Sequence, residues 1–347
     1  QPRLLKQSGL SRSRLRQYSL RTAQGVQGEV VATMNRVLIN AEAHSDALKI
    51  LADNGLEPVY VPEADVAGSF EAARDCVGVV ANASLPFDEA FFELAPKVKV
   101  IGRMGVGYDN VDLEAAGRHG VRVVNTPLSI IQPVAEHTMM MMLALVRRVV
   151  AGDREAREAV FRQPSNNPDF ELLGKTLGII GLGRTGLRVA RTARLGFDMK
   201  ILYHDQLANT EAEAELGAER VELDELLGRS DIVTLHVNLS DNTRHLIDSE
   251  ALSKMKTGAY LINVSRGSVV DEAALVEVLR SGGIAGAGLD VYEEEPPTAD
   301  NPLFGLPNVV VTPHRAGFSR EGVYGCSMVV EDIVRILNGE EPRFPVN

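Results

Sequence analysis

The feature that most constrains this chain is the stretch LGIIGLGRTG (177–186), an apolar run broken by glycines. A helical pattern over 187–195 follows, closed by Gly196, and a second apolar run, 200–204, ends on Asp205. Each part has a physical job. Gly181 permits a tight turn, Gly183 lets backbone N–H groups approach a pyrophosphate, and Gly186 lets helix and strand pack closely. Phosphates then sit at a helix N-terminus, where unpaired N–H groups and the dipole favour an anion. Asp205 lies nineteen residues after Gly186, where a carboxylate accepts hydrogen bonds from a ribose and repels a 2′-phosphate. The combination predicts a site for NAD. The glycine triplet alone would equally fit a turn in another α/β protein; strand, triplet, helix, second strand and acid carry the reading together.

A chain of 347 residues suits about two domains. With 45% hydrophobic and 24% charged residues its composition is that of an ordinary soluble enzyme. No apolar run reaches the ~20 residues a membrane span needs; the longest, 138–146, is followed by Arg147 and Arg148. Cys76 and Cys326 are far apart, and no CxxC or HExxH pattern occurs, so both read as packing residues and no metal is expected. The net charge of −11 is unevenly spread, because Arg3, Lys6, Arg12, Arg14, Arg16 and Arg21 fall in an acid-free leader. The acidic remainder should repel nucleic acid and anionic membranes. The leader, 1–33, reads in two ways. It is similar to a mitochondrial transit peptide, with Arg16, Gln17, Tyr18 and Ser19 placed like a matrix-processing site. Alternatively it is an unstructured leader or sequence upstream of a start at Met34, and the location is then cytoplasmic.

Along the chain, strand patterns at 36–40, 58–61, 76–81, 98–101 and 121–124 alternate with helical ones at 44–54 and 112–118. Such alternation predicts a parallel sheet with helices on both faces. This first unit lacks a phosphate fingerprint and so reads as a second, smaller α/β domain. Gly105, Val106 and Gly107 follow a strand end, where N–H groups cradle a carboxylate or simply make a turn. One long helix is expected over 134–150, its methionines (Met139 to Met142) filling core or interface and linking the domains. A helical start and an exposed loop with Pro164 and Pro168 follow over 152–173. Beyond the fingerprint come a short helix at 224–227 and strands at 231–237, 259–264, 285–291 and 308–312. A helix over 272–280 is capped by Asp271 and ended by Gly282, and 339–347 reads as a tail.

Three polar groups follow strand ends in this second unit: Arg266, Glu295 and His314. Strand ends at one edge of a parallel sheet converge on one crevice. Arginine offers a planar fork for a carboxylate, and histidine exchanges a proton near neutral pH beside a carboxylate partner. Such a set beside a nicotinamide is what reduction of a 2-keto acid requires. Taken singly, each residue has a plain structural alternative: a helix-cap partner, one acid of an acidic loop, a loop histidine.

Here a resemblance becomes specific. The motifs GRMGVGYDNVDL (102–113), VVNTP (123–127), VAEHT (134–138), GLGRTG (181–186), INVSRGSVVDE (262–272), GLDVYEEEPP (288–297) and VVVTPHRAG (309–317) resemble those of the D-isomer-specific 2-hydroxyacid dehydrogenases. The resemblance implies two doubly wound α/β domains. A Rossmann NAD-binding domain (133–317) is inserted into a flavodoxin-like substrate domain (34–132 and 318–347). It implies that Arg266 binds the carboxylate and carbonyl of a small 2-keto or 2-hydroxy acid. His314 becomes the proton donor in reduction and the base in oxidation, and Glu295 the acid that makes His314 a better base. Glu295 is chosen over Glu293 and Glu294 because the family's acid directly precedes the proline, here Pro296. Val106 and Gly107 would hold the substrate carboxylate. Arg184 and Thr185 would contact the pyrophosphate, Asp205 the ribose, Ser265 and Asp290 the nicotinamide side, and Thr126 and Val237 fall at further cofactor-contacting positions. A homodimer through the 134–150 region is implied as well.

Departures bear on the substrate. Thr185 stands where an apolar residue is usual, Asn238 replaces a proline, 128–133 differs from the usual small or polar residues, and Arg315 follows the histidine. Arg315 suits either a second anionic group or plain solvent. GRMGVGYDN resembles both phosphoglycerate dehydrogenases and glyoxylate/hydroxypyruvate reductases, and the short chain after 317 favours the latter. Glu295 disfavours a formate dehydrogenase. The rival from another class is an NAD-sensing corepressor on the same fold.

Overall fold

Two parallel sheets organise the chain, in a computed structural model that describes residues 35–161 and 170–347. The leader, Pro164 and Pro168 lie outside the described residues. The first sheet comprises β1 (Asn35–Asn40), β2 (Leu56–Tyr60), β3 (Cys76–Ala81), β4 (Val100–Arg103) and β5 (Arg122–Val124). Their order, β2-β1-β3-β4-β5, is the flavodoxin-like one. Central strands such as VLIN and CVGVVA are apolar on both sides because both faces are covered. One face packs Leu38, Phe87, Phe91 and Ile101. The other packs Val37, Ile39 and Val100 against Val330 and Ile333 of the helix Val329–Leu337, so the end of the chain returns to the first sheet.

The second sheet comprises β6 (Thr176–Ile180), β7 (Lys200–His204), β8 (Glu219–Arg220), β9 (Ile232–Leu235), β10 (Tyr260–Asn263), β11 (Gly286–Leu289) and β12 (Val309–Val311). Its order is β12-β11-β10-β9-β6-β7-β8, the Rossmann arrangement. Chain direction across the sheet reverses between β6 and β9, and a crevice opens outside the carboxyl ends of strands at such a switch point. The helices Ile131–Val146 and Arg184–Phe197 cover one face and Glu272–Ser281 the other.

The expected single helix over 134–150 is two, Ile131–Val146 and Val149–Arg157, broken at Arg148 in the left-handed region (φ 48). The buried stripe of Val134, Thr138, Met141 and Leu145 stops at Val146, and no residue of the second helix is buried. Without a buried face to continue, the helical direction changes. Arg184–Phe197 starts earlier than expected, directly after Gly183, and runs through Gly196; Asp198, left-handed at φ 51, ends it instead. The expected tail is structured. Pro345 bridges Val124, the Val346 N–H donates to the Val123 carbonyl at 2.8 Å, and Asn347 Oδ1 accepts from the Val123 N–H at 2.8 Å. These bonds satisfy the open edge of β5. Short helices at Val66–Ala73, Glu89–Leu94, Thr210–Leu216 and Ser249–Lys254 were not expected from periodicity, yet Asp65, Asp88, Asn209 and Asp248 cap them. Cys76 and Cys326 are free and buried. Among the described residues no helix is long and apolar enough to cross a membrane, and no cluster suited to a metal occurs.

Candidate active site

Gly181 sits at φ +90 as the chain leaves β6, and a Cβ there would lie 2.6 Å from the His236 carbonyl oxygen and 2.9 Å from Val237 Cγ1. A Cβ on Gly186 would lie 2.2 Å from the Gly181 carbonyl oxygen. Both close approaches exclude a side chain. Gly183, by contrast, is exposed and faces open space. It is the N-cap of Arg184–Phe197 and supplies no side-chain cap, so that helix keeps its first N–H groups for an outside acceptor. Arg184 is exposed and Thr185 half-buried in the same turn. Asp205, just past β7, accepts from the Leu182 N–H at 2.7 Å, which ties the acid to the glycine loop. Bare backbone, an open helix end and an acid at the adjacent strand end fit a dinucleotide.

The turn after β10 is framed by Asn263, which is buried. Its Oδ1 accepts from Ser265 N and Oγ at 3.0 and 2.9 Å, and its Nδ2 donates to the Arg266 carbonyl at 2.8 Å. Gly267 is obligatory, because a Cβ would sit 1.8 Å from the Tyr292 backbone. The turn thereby presses against the loop leaving β11. In that loop the Tyr292 N–H donates to Glu295 Oε1 at 3.0 Å, and Glu295 Oε2 meets His314 Nδ1 at 2.6 Å. Burial pushes the Glu295 carboxyl up, but the His314 hydrogen bond and charge, with Arg266 behind, outweigh it and hold the group below its ordinary range. The neighbouring acids diverge: Glu293 pairs with His245 instead. His314, just past β12, is left-handed at φ 48. Arg266, Glu295 and His314 are thus brought together by the ends of three adjacent strands.

From the first sheet, the 105–107 loop after β4 faces Arg266. Thr126, buried, accepts from the Gly105 N–H at 2.9 Å, Asn125 Nδ2 donates to the Val106 carbonyl at 2.7 Å, and Arg103 Nη2 donates to the Gly107 carbonyl at 3.1 Å. These bonds hold the loop's carbonyls back and occupy the Gly105 N–H. Among the described residues the Val106 and Gly107 N–H find no acceptor, as a carboxylate cradle requires. A Cβ on Gly107 would lie 1.6 Å from Arg266 Nη2, so only glycine lets the arginine pass. Arg266 Nε donates to both Asp109 oxygens, at 3.2 and 3.1 Å, and its Nη1 donates to the Ser265 carbonyl at 2.8 Å. Burial and the like charge of Arg266 bring Arg103 down to about 10.

Three residues expected at the cofactor also have structural bonds of their own. Thr126 and Ser265 spend their hydroxyls bracing the substrate loop and the arginine turn, and Asp290, fully buried, lies beneath the loop that carries His314. Residues given no role from sequence also belong to the site: Arg103, Asp109, His137, Asn263, Gly267 and Thr312. Each sits inside a quoted motif, but none has an obvious task from sequence.

Residues 139–316 match the family model described as D-isomer specific 2-hydroxyacid dehydrogenase, NAD binding domain. A glyoxylate reductase of Korarchaeum cryptofilum is 43% identical over 281 residues, covering 80% of this chain and 84% of that one. A D-3-phosphoglycerate dehydrogenase of Archaeoglobus fulgidus is 37% identical, covering 90% of this chain and 59% of its own. Among solved structures, the D-lactate dehydrogenase of Aquifex aeolicus, complexed with NAD and lactic acid, superposes with a TM-score of 0.78 at 30% identity. It covers 88% of this chain and 96% of that one.

Proposed function

The chain belongs to the D-isomer specific 2-hydroxyacid dehydrogenase family, and from that premise we propose that it reduces a small 2-keto acid of the glyoxylate or hydroxypyruvate kind, with His314 as proton donor. It is a nicotinamide-dependent enzyme that interconverts 2-keto acids and D-2-hydroxy acids. The observation that carries the site assignment is the His314 Nδ1–Glu295 Oε2 pair at 2.6 Å, placed beside Arg266. The glyoxylate reductase relative supports the substrate.

The Val106 and Gly107 N–H groups and the Arg266 guanidinium hold the substrate carboxylate, and Arg266 also reaches its carbonyl. Glu295 occupies Nδ1 of His314, which leaves Nε2 to hand a proton to the carbonyl oxygen in reduction and to take it back in oxidation. When bound, the reduced nicotinamide supplies the hydride equivalent to the keto carbon. Gly181, Gly183, Gly186, Arg184 and Thr185 would hold its pyrophosphate and Asp205 its ribose, which favours NAD over its 2′-phosphorylated form. Ser265 and Asp290 would complete the nicotinamide side through the turn and loop they brace, and Thr126 and Val237 would make further cofactor contacts.

We assign 34–132 with 318–347 to a substrate domain and 133–317 to the NAD domain; the return of Val329–Leu337 to the first sheet supports this. A homodimer is supported by the apolar groove on the helix Ile131–Val146. The test is NADH oxidation against glyoxylate, hydroxypyruvate, pyruvate, 2-oxoglutarate and 3-phosphohydroxypyruvate. Glyoxylate or hydroxypyruvate should be turned over best, and His314→Ala should lower kcat by about 1000-fold while NADH still binds. Equal turnover by that variant would remove His314 from the chemistry. Preference for a dianionic acid would remove the substrate assignment.

A further inference from the structure

We propose that Thr312 and His137 are positioning residues for the acid–base histidine, acting through the buried carboxylate of Asp290. The proposal rests on the reading of His314 as the proton donor.

A histidine at φ 48 needs its surroundings to hold it there, because its Cβ crowds the backbone in the left-handed region. Asp290, at the end of β11 and fully buried, supplies that hold. Its backbone carbonyl accepts from the His314 N–H at 2.7 Å, its Oδ1 from the Arg315 N–H at 2.9 Å and its Oδ2 from the Ala316 N–H at 2.8 Å. Successive N–H groups of the loop therefore converge on one residue. Neither Glu295 nor the substrate side contributes to this backbone clamp.

Thr312 sets the clamp's position. Its N–H donates to the Leu289 carbonyl at 2.9 Å, which continues the β11–β12 ladder, and its hydroxyl donates to Asp290 Oδ1 at 2.5 Å. A hydroxyl has one proton to give. With that proton on Asp290, Thr312 Oγ1 acts as acceptor toward His137 Nε2, 2.9 Å away, and the proton of that imidazole sits on Nε2. Burial, opposed by Asp290 and aided by Arg315, holds His137 below its ordinary range, which keeps the ring neutral and in a single donor role. His137 belongs to the helix Ile131–Val146, whose buried side packs on the second sheet. The chain of bonds therefore runs from a rigid helix through Thr312 and Asp290 to the loop, and ends where His314 meets Glu295. Removing the hydroxyl takes a donor from Asp290 and an acceptor from His137 at once. The loop can then relax toward right-handed φ, which swings the imidazole off Glu295 and away from Arg266.

The experiment compares the full-length parent with Thr312→Val, Thr312→Ser and His137→Leu. Thr312→Val should lower kcat for keto-acid reduction by about 10- to 100-fold, with KM and the NADH dissociation constant within about twofold. Thr312→Ser, which restores the hydroxyl, should recover activity to within about threefold of the parent. In the cofactor-free chain, the low-field proton signal of the His314–Glu295 pair, assigned by its loss in Glu295→Gln, should persist in the parent and Thr312→Ser. It should vanish in Thr312→Val and His137→Leu. Retention of the signal in Thr312→Val, or a Thr312→Ser variant no better than Thr312→Val, overturns the proposal. Turnover that survives His314→Ala would sink the proton-donor reading instead, and the proton signal would still decide whether the clamp exists.

Discussion

The charge of the carboxylate cradle is decided by one acid, Asp109, set between the cations Arg103 and Arg266. Burial pushes its carboxyl up, but Arg266, and behind it Arg103, outweigh burial and hold it below the ordinary range. Asp109 fixes the Nε edge of Arg266 and so aims the remaining donors at the substrate loop. Asp109→Asn keeps an acceptor but loses the charge, so kcat/KM should fall by about 10-fold. The sign with pH follows from the lowered value. A depressed carboxyl contributes stability above the unfolded value of ~3.9, and that contribution is lost as pH falls through the lower folded value. The melting-temperature gap between parent and Asp109→Asn should be constant near neutrality and close below pH ~3.9. A gap that stays open in strong acid would show that the ion pair is not its source. Arg266, Glu295 and His314 were legible because each follows a strand end inside a recognisable motif. Asp109 and Thr312 were not, because their partners lie 157 and 175 positions away and no local pattern encodes such pairings.

At the level of elements, glycines that look alike on paper have opposite consequences. Gly196 reads as a helix stop, yet the helix continues through it, and a Cβ there would meet nothing within 4 Å. Gly196→Ala should therefore stabilise the protein by about 0.5 kcal/mol, seen as a later midpoint in urea. Gly181 lies at φ +90 against the His236 carbonyl. Gly181→Ala should destabilise by about 1–2 kcal/mol from the left-handed backbone alone and weaken NADH binding more than 10-fold by displacing the loop. Similar effects from both variants would mean the fingerprint turn is not as tight as its contacts imply. Buried strands were legible to within about two residues at either end, because unbroken apolar runs have few other readings. The break at Arg148 was not, since no glycine or proline marks it and the apolar pattern runs on through Val149 and Val150. Four helices of six to eight residues also escaped, because about two turns or fewer carry little periodicity, although Leu113–Arg118 and Leu223–Arg229, equally short, did not; only their caps announced the four.

For the molecule as a whole, parallel sheets followed from the alternation of strands with helices and the two strand orders from the family resemblance, whereas the number of copies depends on surfaces that pattern alone does not rank. The helix Ile131–Val146 buries its inner side, while its outer side exposes Met140 beside the polar pair Gln132 and Glu136. Met139, Met140, Leu143 and Val149, rimmed by Gln132, Glu136 and Thr192, line a groove of about 470 Å³ there, with Met140 41% and Val149 55% exposed. A mostly apolar groove with exposed Met140 and Val149 suits the proposed interface, and one helix face meeting its symmetry mate would make a closed two-fold contact. Methionine suits that role, because its flexible thioether packs against an imperfect partner surface. Met140→Asp separates the interface from the core. In the monomer the new carboxylate faces water, so unfolding stability measured at low concentration should change by no more than about 0.5 kcal/mol. In a dimer it would be buried without a cation, at a cost of several kcal/mol, enough to shift the equilibrium by about 100-fold or more. Sedimentation velocity should show twice the 37.6 kDa chain mass for the parent and the single mass for Met140→Asp. If the parent sediments as a monomer, the groove needs another occupant. If Met140→Asp remains dimeric, the two copies meet elsewhere.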